Sequence, residues 1–138
     1  MIELHLDQRS GVPYYVQLMH QVRRAVHLGT LRPGDRLPTV REVVARLALN
    51  PNTVLRAYRE LEHEGLLVIR VGSGTFVAEG AAPPLDQPLH RLLREELERW
   101  IDGARAQGVD DQTLAAMFHD VLDAAADRQA KPQKEVLC

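Results

Sequence analysis

With 138 residues the chain has room for one domain of ordinary size and a small appendage. No apolar run approaches the roughly 18 residues of a membrane span, Met1-Ile2-Glu3 lacks the charged and apolar blocks of a signal peptide, and the one cysteine, Cys138, excludes an internal disulfide, so a cytoplasmic protein without a membrane partner is expected. The net charge of −2 is unevenly divided: residues 1–78 carry ten arginines against seven acidic side chains, for +3, whereas residues 79–138 carry seven basic against twelve acidic, for −5. A basic nucleic-acid-binding part joined to an acidic partner part shows this asymmetry.

Ile2 to Asp7 alternate apolar and polar residues, which predicts a half-buried strand that Gly11 to Pro13 breaks. From Pro13 a helix carries Tyr15, Leu18, Val22, Ala25 and Val26 on one face and closes at Gly29. Leu31 to Pro38 is a turn-rich connector with a Pro33-Gly34 reversal. Thr39 and Glu42 have the spacing of a capping box, so a second helix starts at Val40, with Val43, Val44 and Leu47 on one face. The pattern breaks at Leu49-Asn50-Pro51. Asn50 suits an N-cap, Pro51 the first helical position, and Leu49 a staple against Val54. Val54, Ala57, Tyr58 and Leu61 then line a third helix that Gly65 closes. Leu66 to Val71 is β-prone, Gly72-Ser73-Gly74 supplies a turn, and Thr75 to Val77 returns as a partner strand.

Two short helices joined by about three residues, the second opening on small polar side chains, form a helix-turn-helix whose second helix enters the DNA major groove; the hairpin after it is a wing. The run LPTVREVVARLALNPNTVLRAYRELEHEGLL followed by GSGTFV resembles the winged-helix domain of the GntR family of bacterial transcription regulators. The words NPNTV, RAY and ELE before Gly65 are similar to those of its YtrA subfamily. The resemblance covers roughly residues 11–78 and, more loosely, the tail, since that subfamily has a short all-helical C-terminal segment. The expected fold is therefore mainly α with a small β-hairpin wing. Residues 1–78 form a winged helix-turn-helix DNA-binding domain, 79–88 a linker, 89–126 a helical dimerisation segment and 127–138 a frayed tail.

Several residues are candidates for contact with double-stranded DNA. Arg41 lies in the first turn of its helix, where the positive end of the helix dipole disfavours a lone cation and a phosphate partner removes the conflict. It also matches the arginine that GntR proteins use at this motif position; the alternative is a solvated side chain. Asn52 and Thr53 open the recognition helix, where short polar side chains reach phosphates or base edges, although either can serve as a cap instead. Arg56, one turn on, either reaches the groove or pairs with Glu60, and Arg59 either contacts DNA or pairs with Glu62. In the wing, Arg70, Gly72 and Ser73 offer a cation and unobstructed backbone N–H groups, and the family resemblance implies a wing tip at the minor groove. Pro51 and Leu55 stand where many GntR proteins have arginine, so base preference does not carry over from them.

Pro83, Pro84 and Pro88 mark the linker. One tail helix then carries Leu89, Leu92, Leu93, Leu97, Trp100, Ile101 and Ala104 on a broad stripe; a second starts at Asp110, with Val109 stapling to Leu114, and continues through Met117, Phe118, Val121, Leu122 and Ala125. Two helices are too few to bury a core of their own. Leu93, Leu97, Trp100, Ile101, Met117 and Val121 are thus expected to pair with a second copy of the chain, setting two recognition helices about one DNA turn apart. The alternative is that the helices fold back on the winged helix in a monomer.

His5, His20, His27, His63, His90 and His119 are scattered, with no metal-ligand spacing, and there is no nucleophile motif or phosphate loop, so neither metal, cofactor nor enzymatic activity is expected. The function expected is a dimeric, sequence-specific transcriptional repressor on a near-palindromic operator. The rival is a protein-interaction module that docks through the winged helix and the acidic tail. Duplex binding differs from it in falling steeply with salt. Nothing in the residues names an operator, the regulated genes or a small-molecule effector.

Overall fold

A computed structural model describes residues 2–81 and 85–130, the side chain of Ala130 excepted. The chain divides into two compact units, Met1–His90 and Arg91–Cys138. In the first, three helices are followed by a hairpin: α1 (Tyr14–His27), α2 (Val40–Leu47), α3 (Pro51–His63), β1 (Leu67–Arg70) and β2 (Gly74–Val77). Helix α4 (Gln87–Ala106) begins in the first unit and runs into the second, which α5 (Asp111–Ala130) completes.

The start of α2 has half of a capping box: the Thr39 hydroxyl accepts from the Glu42 N–H at 3.1 Å. Helix α2 ends on Ala48, whose φ of 53° makes it the only non-glycine left-handed residue among those described. Asn50 caps α3 by accepting from the Asn52 N–H at 2.8 Å, and Pro51 follows at the first helical position. Leu18, Val22 and Val26 of α1 and Val54, Ala57, Tyr58 and Leu61 of α3 are all essentially sealed from solvent, so the contact between these two helices is the centre of the core. The hairpin closes it through Leu67 and Val77.

Residues Ile2 to Asp7 form no strand, contrary to the sequence expectation. Two glutamines of α1 take the place of a partner strand. The Gln21 amide accepts from the His5 N–H at 2.8 Å and donates to the His5 carbonyl at 2.7 Å; Gln17 does the same for Asp7 at 2.8 and 2.9 Å. Side-chain amides spaced one helical turn apart thus satisfy alternate residues of the segment, and the predicted alternation survives with Leu4 buried.

The hairpin is antiparallel, with Leu67 opposite Val77 and Arg70 opposite Gly74. The connector adds a third rung: Arg36 bridges Phe76, the Leu37 N–H donates to the Thr75 carbonyl at 2.8 Å, and the Val77 N–H donates to the Asp35 carbonyl at 2.8 Å. The prolines at 83 and 84, assigned above to a linker, lie outside the described residues. Leu85 and Gln87 rest on Gly29, where an added Cβ would come within 3.3 Å of the Leu85 carbonyl and the Gln87 amide.

In the second unit, α4 and α5 are joined at Gly108, φ 89°. Asp110 caps α5 by accepting from the Thr113 N–H at 2.8 Å, and Arg105 grips Asp111 with two hydrogen bonds of 3.0 Å. Helix α5 continues to Ala130, beyond the segment outlined by the apolar pattern, and residues 131–138 of the expected frayed tail lie outside the described residues. Leu114 is the only buried hydrophobic side chain described here. An open apolar cleft of about 280 Å³ lies between the helices, lined by Leu97, Trp100, Ile101 and Phe118 among others.

Candidate nucleic-acid interface

A buried polar contact braces the apolar packing of the helix-turn-helix. The Tyr58 hydroxyl, on α3, donates to the Pro38 carbonyl at 2.6 Å, tying the middle of the recognition helix to the residue before the α2 cap. Burial, and then the charge of Glu42, pushes this hydroxyl far above its ordinary value, so it stays protonated and remains a donor. Arg41 follows three residues later, exposed in the first turn of α2.

Asn52 stands exposed and Thr53 half-buried at the start of α3. The Asn52 side chain makes no hydrogen bond among the described residues; the cap uses its backbone N–H and the Asn50 side chain. Its amide is therefore free for an incoming partner. Arg56 does not pair with Glu60. Its guanidinium lies 3.9 Å from the centroid of the Tyr15 ring of α1, a cation–π contact worth about 0.5–1 kcal/mol at an exposed site. Nor does Arg59 pair with Glu62, whose carboxylate accepts from the Ile69 N–H at 2.7 Å and so ties α3 to β1. Stacking leaves the guanidinium edge of Arg56 open, because cation–π contact uses the face of the fork and hydrogen bonds use its rim.

In the wing, a turn is closed by the Ser73 N–H donating to the Arg70 carbonyl at 3.0 Å, with Gly72 at φ 82°. Arg70 lies over Phe76 at 5.4 Å. Val71, at the tip, is 99% exposed. In the sequence it ends the β-prone run from Leu66, between Arg70 and the glycine turn. Among the arginines of the first unit, Arg23 pairs with Glu64 at 2.8 Å and Arg46 with Glu3 at 3.0 Å, which spends those charges on the fold. Arg36, Arg41 and Arg59 have no acidic partner among the described residues.

The arrangement is a recognition helix with a free polar start, a cation at the start of the preceding helix and a wing with an arginine and an open turn. Comparison with known proteins identifies the family. Residues 14–77 match the family described as bacterial regulatory proteins, gntR family. The chain is 37% identical to the HTH-type transcriptional repressor YtrA of Bacillus subtilis over 118 residues, which cover 86% of this chain and 91% of that protein. The chain belongs to the GntR family. This GntR protein is a DNA-binding transcriptional regulator with a winged helix-turn-helix fold. It is also similar in structure to YtrA from Sulfolobus acidocaldarius, described as a GntR-family transcription factor, at 29% identity with a TM-score of 0.51, covering 72% of this chain and 97% of that one. A protein of Listeria monocytogenes described as a transcriptional antiterminator matches at 26% identity with a TM-score of 0.56, over 91% and 90% of the two chains. Among the described residues no helix is long and apolar enough to cross a membrane.

Proposed function

We propose that this GntR protein is a homodimeric, sequence-specific repressor that acts without enzymatic activity in the cytoplasm on a near-palindromic operator. Arg41 and Arg56 contact phosphates, Asn52 and Thr53 meet base edges or the adjoining backbone, and Arg70, Gly72, Ser73 and Val71 address the minor groove through the wing. The observation that supports DNA contact at these residues is the free Asn52 amide at the start of α3, with Arg41 exposed and without an acidic partner at the start of α2. A repressor function is also in line with the name of the B. subtilis relative.

Self-association is supported by the second unit. Leu93, Leu97, Trp100, Met117 and Val121 are between 38% and 59% exposed, and Ile101 is half-buried. This much exposed apolar surface is costly to leave in water. A second copy of the same surface covers it and supplies two half-site readers, each too weak alone. The test is selection of the bound duplex from a random pool, followed by sedimentation and binding of the intact chain and of Trp100→Asp. The intact chain is expected to sediment as a dimer and to select two inverted half-sites. Trp100→Asp should sediment as a monomer and lose on the order of a hundredfold in affinity for the two-half-site duplex, keeping its weak binding to one half-site. A Trp100→Asp protein that remains dimeric moves the interface away from the tail.

A further inference from the structure

The outer face of the wing carries a second guanidinium that belongs to neither the hairpin nor the recognition helix. Side chains opposite one another in a sheet lie on the same face, and those two residues apart along a strand do as well. The pairings of Val68 with Phe76, Arg70 with Gly74, and Arg36 with Phe76 therefore place Arg36, Arg70, Val68 and Phe76 together on the side away from the core. On the inner side lie Leu67, Thr75 and Val77, all buried.

Arg36 is held there by its surroundings. Its backbone is bracketed by the Leu37–Thr75 and Val77–Asp35 hydrogen bonds, both 2.8 Å. Its side chain crosses Gly74, where the position of an added Cβ would lie 3.2 Å from Nε, 3.6 Å from Nη2 and 3.7 Å from Cζ. Three guanidinium atoms at nearly equal distance mean that the flat of the fork covers the glycine, which leaves its N–H edge free. Any other residue at 74 would fill that space, and its φ of 130° already favours glycine. Arg70, one strand away, is anchored over Phe76.

Two cations therefore share one small face. No carboxylate pairs with either among the described residues; the nearby Glu79 instead has its Oε1 by Gly34. Holding like charges together is unfavourable until an anion joins them, and planar guanidiniums with free edges fit phosphodiester oxygens. We propose that Arg36, laid across Gly74 beside Arg70, is a phosphate-binding residue for duplex DNA, so that the connector before α2 adds a backbone contact beside the hairpin that addresses the minor groove. This rests on the DNA-binding reading above and adds to it a contact outside the recognition helix, the α2 start and the hairpin.

The test compares the intact protein with Arg36→Ala, Arg36→Gln and Arg36→Lys on the selected operator and on a random duplex, across a series of salt concentrations. Arg36→Ala and Arg36→Gln are expected to bind both duplexes more weakly and to lower the slope of log affinity against log salt by about one unit, as loss of one phosphate contact does. Arg36→Lys should keep the slope, since it keeps the charge, and the unfolding midpoint of all three should match the parent. Ethylation of operator phosphates should reveal one interfering phosphate per half-site for the parent that is absent for Arg36→Ala. An unchanged slope in Arg36→Ala, or an unchanged ethylation pattern, overturns the assignment of Arg36. An intact protein with no salt-dependent duplex binding instead overturns the DNA-binding reading itself.

Discussion

The two units of this chain use apolar residues in opposite ways. Every buried hydrophobic side chain among the described residues, except Leu114, lies at or before Ala78, whereas Leu89, Leu92, Leu93, Leu97, Trp100, Met117, Phe118, Val121 and Leu122 stand exposed on α4 and α5. Both regions have helices with an apolar stripe. In the first, α1 and α3 pack stripe against stripe and the wing seals the edge, so the fold is complete within one copy. In the second, two helices leave an open cleft between them. Apolar patterning thus says that a helix needs a partner, and the number of helices within reach decides whether that partner is in the same chain.

Core and tail substitutions of the same kind sharpen this contrast. Leu61→Ala, at a fully buried site, should cost about 2–5 kcal/mol of unfolding free energy at any protein concentration. Leu93→Ala, nearly half exposed, should leave the winged-helix transition in place and weaken only a transition that moves with protein concentration. Urea denaturation at two protein concentrations, tenfold or more apart, distinguishes them. A Leu93→Ala effect independent of concentration would mean that the tail folds within one copy, and the contrast between the units would fail.

Among the exposed polar residues of the first unit, the expected effects are smaller and appear in binding. Asn52→Ala should cost about 1–3 kcal/mol on the preferred duplex and less on random sequence if the free amide reads a base. Competition binding with both duplexes checks this, and equal losses on the two reduce Asn52 to a positioning contact. The smallest change concerns the turn between α2 and α3. Left-handed backbone costs a residue with a Cβ roughly 1 kcal/mol, and glycine removes that strain while giving back part of it in chain entropy. Ala48→Gly should therefore raise stability by about 0.5 kcal/mol, read as a higher urea midpoint with duplex affinity unchanged.

Much of the helix-turn-helix was legible because its signals are local. Thr39, Asn50, Pro51 and Gly65 act within a few residues of themselves, so the ends of α2 and α3 follow from hydrogen-bond satisfaction and backbone preference alone. The fate of the arginines was not legible in this way. Pairs at i+3 and i+4 were the only partners that a linear reading could offer Arg56 and Arg59. In the folded chain Tyr15, far away in sequence, takes Arg56, and the Ile69 backbone takes Glu62.

What the sequence determined by itself was the order of the helices and the wing hairpin, the sign of each half's charge and the apolar stripes of the tail helices. Periodicity, caps and composition are properties of short stretches, and they survive whatever the rest of the chain does. Only the tertiary structure decided that the N-terminal segment is held by Gln17 and Gln21 instead of a strand, that Arg23 and Arg46 are spent on ion pairs, and that Arg36 lies across Gly74 on the wing. Those outcomes depend on which distant groups the packing brings within about 3–4 Å, the range over which hydrogen bonds and ion pairs act.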